Sequence, residues 1–188
     1  MDKRVAVFIA PGLEEIEGLT VVDILYRANI PCDTVAITES TLVTSSHGVR
    51  IVCDRSIADE DFDFSAYDML VLPGGMPGTT NLGACEPLTA ALVAHAAAGK
   101  PVAAICAAPM VLAELGLVEG KRATIFPGME EHLVRGGAEA VSDPAVVDGA
   151  VITGRGMGAA ISFALAIQAY YQGEDAARDL VEKIVALA

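Results

Sequence analysis

Four cysteines, Cys32, Cys53, Cys85 and Cys106, are the side chains in this sequence best suited to nucleophilic chemistry, and they lie far apart along the chain. No two form a C-x-x-C pair and none has a histidine at metal-ligand spacing, which argues against a disulfide framework or a structural zinc site. They read as free thiols, and Cys106 differs from the rest by position. It directly follows the apolar run Val102 to Ile105 and precedes a helix expected from about Ala107 to Leu115. Pro109 falls in the first turn of that helix, where a missing N–H is tolerated. A thiol at a strand-to-helix turn lies near unpaired N–H groups and the positive helix end, both of which favour thiolate. The small residues Ala107 and Ala108 leave room for a nucleophile-elbow turn, although the G-x-S-x-G spelling is absent. Backbone N–H groups of Gly75 and Ala107 could converge on an oxyanion there. The competing reading is a small buried hydrophobe, as most free cysteines are.

Glu17 is the second candidate. Its neighbours Glu14 and Glu15 suit a solvated helix start, whereas Ile16 and Gly18 flank Glu17, and Gly18 permits close approach. A carboxyl group pushed into an apolar pocket has its pKa raised, and could donate a hydrogen bond to a thiolate or pass a proton. The alternative is one more polar residue of a helix start.

These residues need a scaffold that brings them together. Arg4 to Ala10 reads as a buried strand ending at Pro11-Gly12, and Glu14 to Ala28 has helical spacing with Ile16, Leu19, Val22, Ile24 and Leu25 as its apolar set. Strands are expected at Asp33 to Thr38 and Tyr67 to Leu72, the latter ending in Pro73-Gly74-Gly75, with a pair of short strands within Thr41 to Val52. Glu86 to Ala98 is an Ala-rich helix, and Val102 to Ile105 a strand. The stretch from Lys121 to Val141 is irregular, with short strand candidates at Ala123-Thr124 and Ala138 to Val141; beyond it, strands are expected at Val146-Val147 and Ala150 to Thr153, and helices at Gly158 to Tyr171 and Asp175 to Ala186. Repeated βα units point to a doubly wound, mostly parallel sheet with helices on both faces. Residues 1–188 are expected to form one domain. In such a sheet ligands bind beyond the strand carboxyl ends, so the turns at Pro11-Gly12, Pro73-Gly74-Gly75 and Cys106 should share one edge.

Composition limits the function classes. Lys and Arg total 12 against 25 Asp and Glu, a formal net charge of −13. That field disfavours nucleic acid and anionic membrane surfaces. No apolar stretch reaches the roughly 18 residues needed to span a bilayer. The start, Met1-Asp2-Lys3-Arg4, lacks signal-peptide architecture, so a cytoplasmic location is expected.

Four segments in this order, Glu-Glu-Ile-Glu at 14–17, Val-Leu-Pro-Gly-Gly at 71–75 with Asn81-Leu82, Ala-Ala-Ile-Cys-Ala-Ala-Pro at 103–109 and Thr153-Gly154-Arg155-Gly156 with Gly158, resemble the DJ-1/ThiJ/PfpI superfamily, its DJ-1/ThiJ branch most closely. The resemblance implies a flavodoxin-like sandwich of the class I glutamine amidotransferase kind and a homodimer; no cofactor or metal is expected, since no Walker lysine follows the Gly-rich turn at 154–158 and the cysteines lack metal-ligand spacing. It implies that Cys106 is the easily oxidised nucleophile, Glu17 its protonated partner, and Gly75 and Ala107 the amide donors around the sulfur's ligand. Gly74, Arg155 and Phe126 are expected to border the pocket. The activities implied are conversion of methylglyoxal to lactate without glutathione and repair of early glycation adducts. Oxidative-stress sensing through a cysteine sulfinate and chaperone action are implied as alternatives.

The departures bear on chemistry. Family members often place a histidine after the cysteine or before a later proline, whereas here Ala107 follows Cys106 and Phe126 precedes Pro127. A peptidase-type Cys-His dyad is disfavoured, since base activation needs an imidazole within hydrogen-bond reach. In a glyoxalase, Glu17 alone would have to move the proton between adjacent carbons. His47 is expected in a turn and His95 in a helix; His132 reaches the pocket only if its segment folds back over it. Arg155 is open between a pocket-mouth cation and an ordinary ion pair. Cys53 is read as a packed strand residue or a thiol at a dimer contact.

Overall fold

The computed structural model describes residues 3–186. In chain order the first elements are β1 (Val5–Ile9), α1 (Glu15–Arg27), β2 (Cys32–Ala36), β3 (Leu42–Thr44), β4 (Arg50–Val52) and β5 (Arg55–Ser56). The middle of the chain forms β6 (Met69–Leu72), α2 (Gly78–Ala84), α3 (Glu86–Ala97), β7 (Val102–Ile105) and α4 (Pro109–Glu114). Then come β8 (Arg122–Ala123), α5 (Glu130–Arg135), β9 (Glu139–Ala140), β10 (Ala145–Asp148), β11 (Val151–Gly154), α6 (Ala160–Gln172) and α7 (Glu174–Lys183).

Every residue of β1 is buried, because both faces of its sheet are covered. Val5, Val7 and Ile9 face one core, shared with Val21, Ile24 and Leu25 of α1 and Phe163 and Ile167 of α6. Ala6 and Phe8 face the other, with Leu88 and Leu92 of α3 and Val111 and Leu112 of α4. The period-two alternation of a strand thus feeds two helical layers. The seven-stranded sheet has the order β10-β11-β7-β6-β1-β2-β5. Its strands run parallel except β10, which pairs antiparallel with β11 at the edge. This is the α/β, mostly parallel architecture expected of a flavodoxin-like fold. Among the described residues no helix is long and apolar enough to cross a membrane.

The chain builds outward from β1 to β2 and β5, then returns to lay β6, β7 and β11 on the other side. The reversal lies between β1 and β6, so a crevice opens beyond their carboxyl ends. The expected strands appear with shifted ends, and those within Thr41 to Val52 form the antiparallel hairpin β3–β4. Three elements have no counterpart in the sequence reading: β5, α2 and α5 are short and carry weak periodicity. One boundary alters the chemistry. α4 begins at Pro109, not near Ala107.

Candidate active site

Glu17 reaches the sheet edge because α1 starts close to it. Glu14 caps the helix, its carboxylate accepting the Glu17 N–H at 2.9 Å, and the Glu14 N–H donates to the Gly74 carbonyl at 2.9 Å. Gly18 allows the approach, since a Cβ there would lie 3.2 Å from Leu13 and 3.3 Å from Pro73. Glu17 is thereby fully buried. Its Oε2 accepts the Gly74 N–H at 2.9 Å, while among the described residues no N–H or O–H reaches Oε1. Gly74 has no room for a side chain: a Cβ would stand 2.5 Å from both Cys106 Cβ and Glu17 Oε2.

Cys106 has a φ of 64°, left-handed backbone that costs a non-glycine residue about 1 kcal/mol or more. The surroundings hold it there. Its N–H donates to the Gly154 carbonyl at 2.9 Å, and its carbonyl accepts the Phe126 N–H at 2.8 Å. The half-buried thiol therefore stands on a strained turn joined to the end of β11 and the loop after β8.

The electrostatics revise the expectation of a thiolate held by a helix end. The six-residue α4 starts three positions on, and the amides that favour the thiolate are those of Gly75 and Ala107 in the turns. Against them, burial first, then the charge of Glu17 and its hydrogen bond, push the thiol up to about 12. Burial likewise pushes Glu17 up to about 7, opposed by the Cys106 hydrogen bond, assisted by the charge on Glu14 and opposed by the Gly74 amide. The two groups titrate as a unit. When the carboxyl group keeps its proton, the repulsion disappears and an O–H becomes available to the sulfur. One negative charge and one proton shared by oxygen and sulfur is an arrangement suited to covalent attack with proton transfer.

The other candidates are distributed as follows. Phe126 borders the turn, its ring against Gly156, where a Cβ would lie 3.4 Å from Phe126 Cδ2. Arg155 is not aimed at the pocket: its guanidinium donates to the Ser142 carbonyl and its N–H to the Pro144 carbonyl, so it clamps the loop before β10. Among the described residues no histidine is bonded to the pair. His47 Nδ1 lies 3.1 Å from both Glu15 carboxylate oxygens, buried His95 is 3.1 Å from the Tyr67 carbonyl, and His132 stands on α5. Glu14, Glu15 and His47 present ligand atoms within 4.8 Å of one another, but the Glu14 carboxylate is committed to the helix cap and that of Glu15 to His47. Cys53 is buried, and burial, then Asp54, push its thiol up to about 11. Burial, then Asp33 and Asp54, push Cys32 up to about 12. The sequence reading missed the Gly74 amide as the anchor of Glu17 and the left-handed turn at Cys106. The Gly74-Gly75 pair was a signal for the first; a cysteine gives none for the second.

Fold and site together define a doubly wound α/β protein with a half-buried cysteine on a strained turn, facing a buried carboxyl group. The chain belongs to the DJ-1/PfpI family, whose model matches residues 3–169. It is 35% identical over 185 residues to Protein dj-1beta of Drosophila melanogaster, with 98% of each chain covered. The crystal structure of that DJ-1beta matches the fold with a TM-score of 0.90, covering 100% of both chains. Identity to the glutathione-independent glyoxalase DJR-1.2 of Caenorhabditis elegans is 31% over 171 residues, 91% of this chain and 89% of that one. Identity to DJ-1 homolog B of Arabidopsis thaliana is 36% over 173 residues, 92% of this chain but 39% of that longer protein.

The buried carboxyl group has a stability signature. In the folded chain Glu17 keeps its proton up to about pH 7, while a free glutamate loses it near 4.5. Between these values the folded state binds more protons, so its stability falls as pH rises, and the loss is complete above about 7. Glu17→Gln removes this loss. In urea melts the variant should exceed wild type by up to about 3 kcal/mol at pH 8, with the difference shrinking as pH falls from 7 to 4.5. Parallel pH profiles for the two proteins would contradict the burial of a titrating carboxyl group.

Proposed function

We propose that this protein converts small 1,2-dicarbonyl compounds into 2-hydroxy acids without glutathione, using Cys106 as nucleophile and Glu17 as proton carrier. The observation that carries the reading is the coupling of a fully buried carboxyl group, one oxygen anchored on Gly74, with a half-buried thiol at the β1/β6/β7 edge. A relative of this chain bears the name glutathione-independent glyoxalase.

The sulfur adds to the aldehyde carbon, and the new alkoxide, held by the Gly75 and Ala107 N–H groups, takes the Glu17 proton to give a hemithioacetal. The Glu17 carboxylate removes the hydrogen on that carbon as a proton, and the electron pair moves to the neighbouring carbonyl. The proton returns to the second carbon and the hydroxyl proton passes from the first oxygen to the second, leaving a thioester of a 2-hydroxy acid. Water cleaves the thioester, freeing the acid and the thiol. One water is consumed, and the oxidation of one carbon balances the reduction of its neighbour. Attack on glycated carbonyl adducts would begin with the same hemithioacetal. Purified protein is expected to form lactate from methylglyoxal in buffer free of glutathione, with Cys106→Ala and Glu17→Gln each at least 100-fold slower. Equal turnover by wild type and Cys106→Ala would sink this reading.

A second reading, a sensor whose cysteine is oxidised to the sulfinate, is favoured by a specific observation: the Gly75 and Ala107 amides lie where anionic oxygens on the sulfur would be held, with no histidine bonded to the pair among the described residues. Mass spectrometry after mild peroxide should then find two added oxygens on Cys106, with Cys32 and Cys53 spared because, among the described residues, no backbone amide lies on either sulfur to hold an anionic oxygen. Equal oxidation at Cys32, Cys53 and Cys106 would count against selective sensing.

The reading also includes a homodimer. Ile16 and Leu19 of α1 and Ile161 of α6 are exposed apolar side chains lining one groove, a patch that water penalises unless a second copy covers it. Light scattering should give a wild-type mass twice 19.4 kDa and a lower one for Leu19→Glu. A monomeric wild type at micromolar concentration would remove the homodimer.

A further inference from the structure

We propose that the mouth of this site receives an apolar substituent of the substrate, and that Phe126 makes the protein favour 1,2-dicarbonyls bearing an aromatic or bulky apolar group. The inference rests on the carbonyl-processing reading above and names its substrate class.

Phe126 is set apart from the other four phenylalanines. Phe8 and Phe163 are fully buried, and Phe62 and Phe64 are half-buried and meet edge to face. Phe126 is 47% exposed, yet its backbone is fixed. Its N–H donates to the Cys106 carbonyl at 2.8 Å and its carbonyl accepts the Met129 N–H at 3.0 Å. The ring rests against Gly156, two residues beyond the Gly154 carbonyl that accepts the Cys106 N–H. An aromatic surface is therefore tied from two sides to the turn that carries the sulfur.

Two exposed methionines adjoin the glycines of this site. Met76 follows Gly75 directly and Met157 follows Gly156 directly, and each is 55% exposed. Their flexible thioethers can pack against rings of different size. Arg155, the cation nearest in sequence to Gly156, is turned to the Ser142 carbonyl and leaves the mouth without its charge. With the aldehyde carbon on the sulfur and its oxygen on the Gly75 and Ala107 amides, the substituent projects outward. A phenyl or branched alkyl group there loses water against Phe126, whereas methyl or hydrogen is too short to reach it. Phe126 has no proton to give or take, so its part is selection among substrates.

The test measures kcat/KM for phenylglyoxal and for methylglyoxal, with mandelate and lactate as products, in wild type, Phe126→Ala and Phe126→Leu. Phe126→Ala should lower the phenylglyoxal-to-methylglyoxal ratio about tenfold, mainly through KM for phenylglyoxal, with Phe126→Leu in between. An unchanged ratio overturns the inference while leaving the carbonyl-processing reading intact. So does an unchanged ratio accompanied by a lower oligomeric mass, which would place the ring at a subunit contact. Turnover of neither compound by wild type overturns both.

Discussion

A carboxyl group stays out of water beside a thiol only where the main chain leaves space for it, and here that space is the missing side chain of Gly74. A Cβ at this position would strike both Cys106 and Glu17, so three segments from distant parts of the sequence meet at one atom-sized vacancy. The Gly74 N–H holds one carboxyl oxygen, the Gly74 carbonyl receives the Glu14 N–H, and Glu14 in turn caps the helix that carries Glu17. The contact thus couples strand β6, the start of α1 and the turn after β7. Gly18 serves the same end from the helix side by letting α1 lie close to Pro73.

The chemistry follows from that closeness rather than from a helix dipole. A six-residue helix that starts after the turn contributes little to the sulfur, whereas two turn amides and a neighbouring acid act on it directly. Because burial raises both groups, neither is a free-standing acid. The carboxyl group suppresses the thiolate when charged and supports it when neutral, so moving one proton between them switches the sulfur's reactivity. The strain of left-handed backbone at Cys106 is sustained by hydrogen bonds to Gly154 and Phe126, which tie the reactive residue to the end of β11 and to the loop after β8.

Much of the architecture was legible because strong patterns survive any tertiary context. Fully apolar runs such as Val5–Ile9 and Val102–Ile105 suit strands covered on both faces, and the Ala-rich 86–97 segment suits a helix. Short or weakly periodic segments were not legible. The strand at 55–56 exists by pairing with β2, and the helix at 78–84 begins where Gly78 packs on Leu13. Arg155 shows the same limit for a side chain: its sequence neighbours allow a pocket cation, but the carbonyl of Ser142 lies within its reach and takes it.

The sequence by itself determined the alternation of strands and helices, the place of Cys106 at a strand end and the glycines that could admit a close approach, since these depend on local propensity and period. Tertiary structure alone decided that Glu17 loses all contact with water, that Gly74 anchors it, that Cys106 is held with positive φ, and that Phe126 stands beside the turn. Those outcomes arise from contacts between residues as far as 57 positions apart and more. The free energy of burying a charge or straining a turn depends on which distant groups arrive next to it, and local pattern does not encode that arrival.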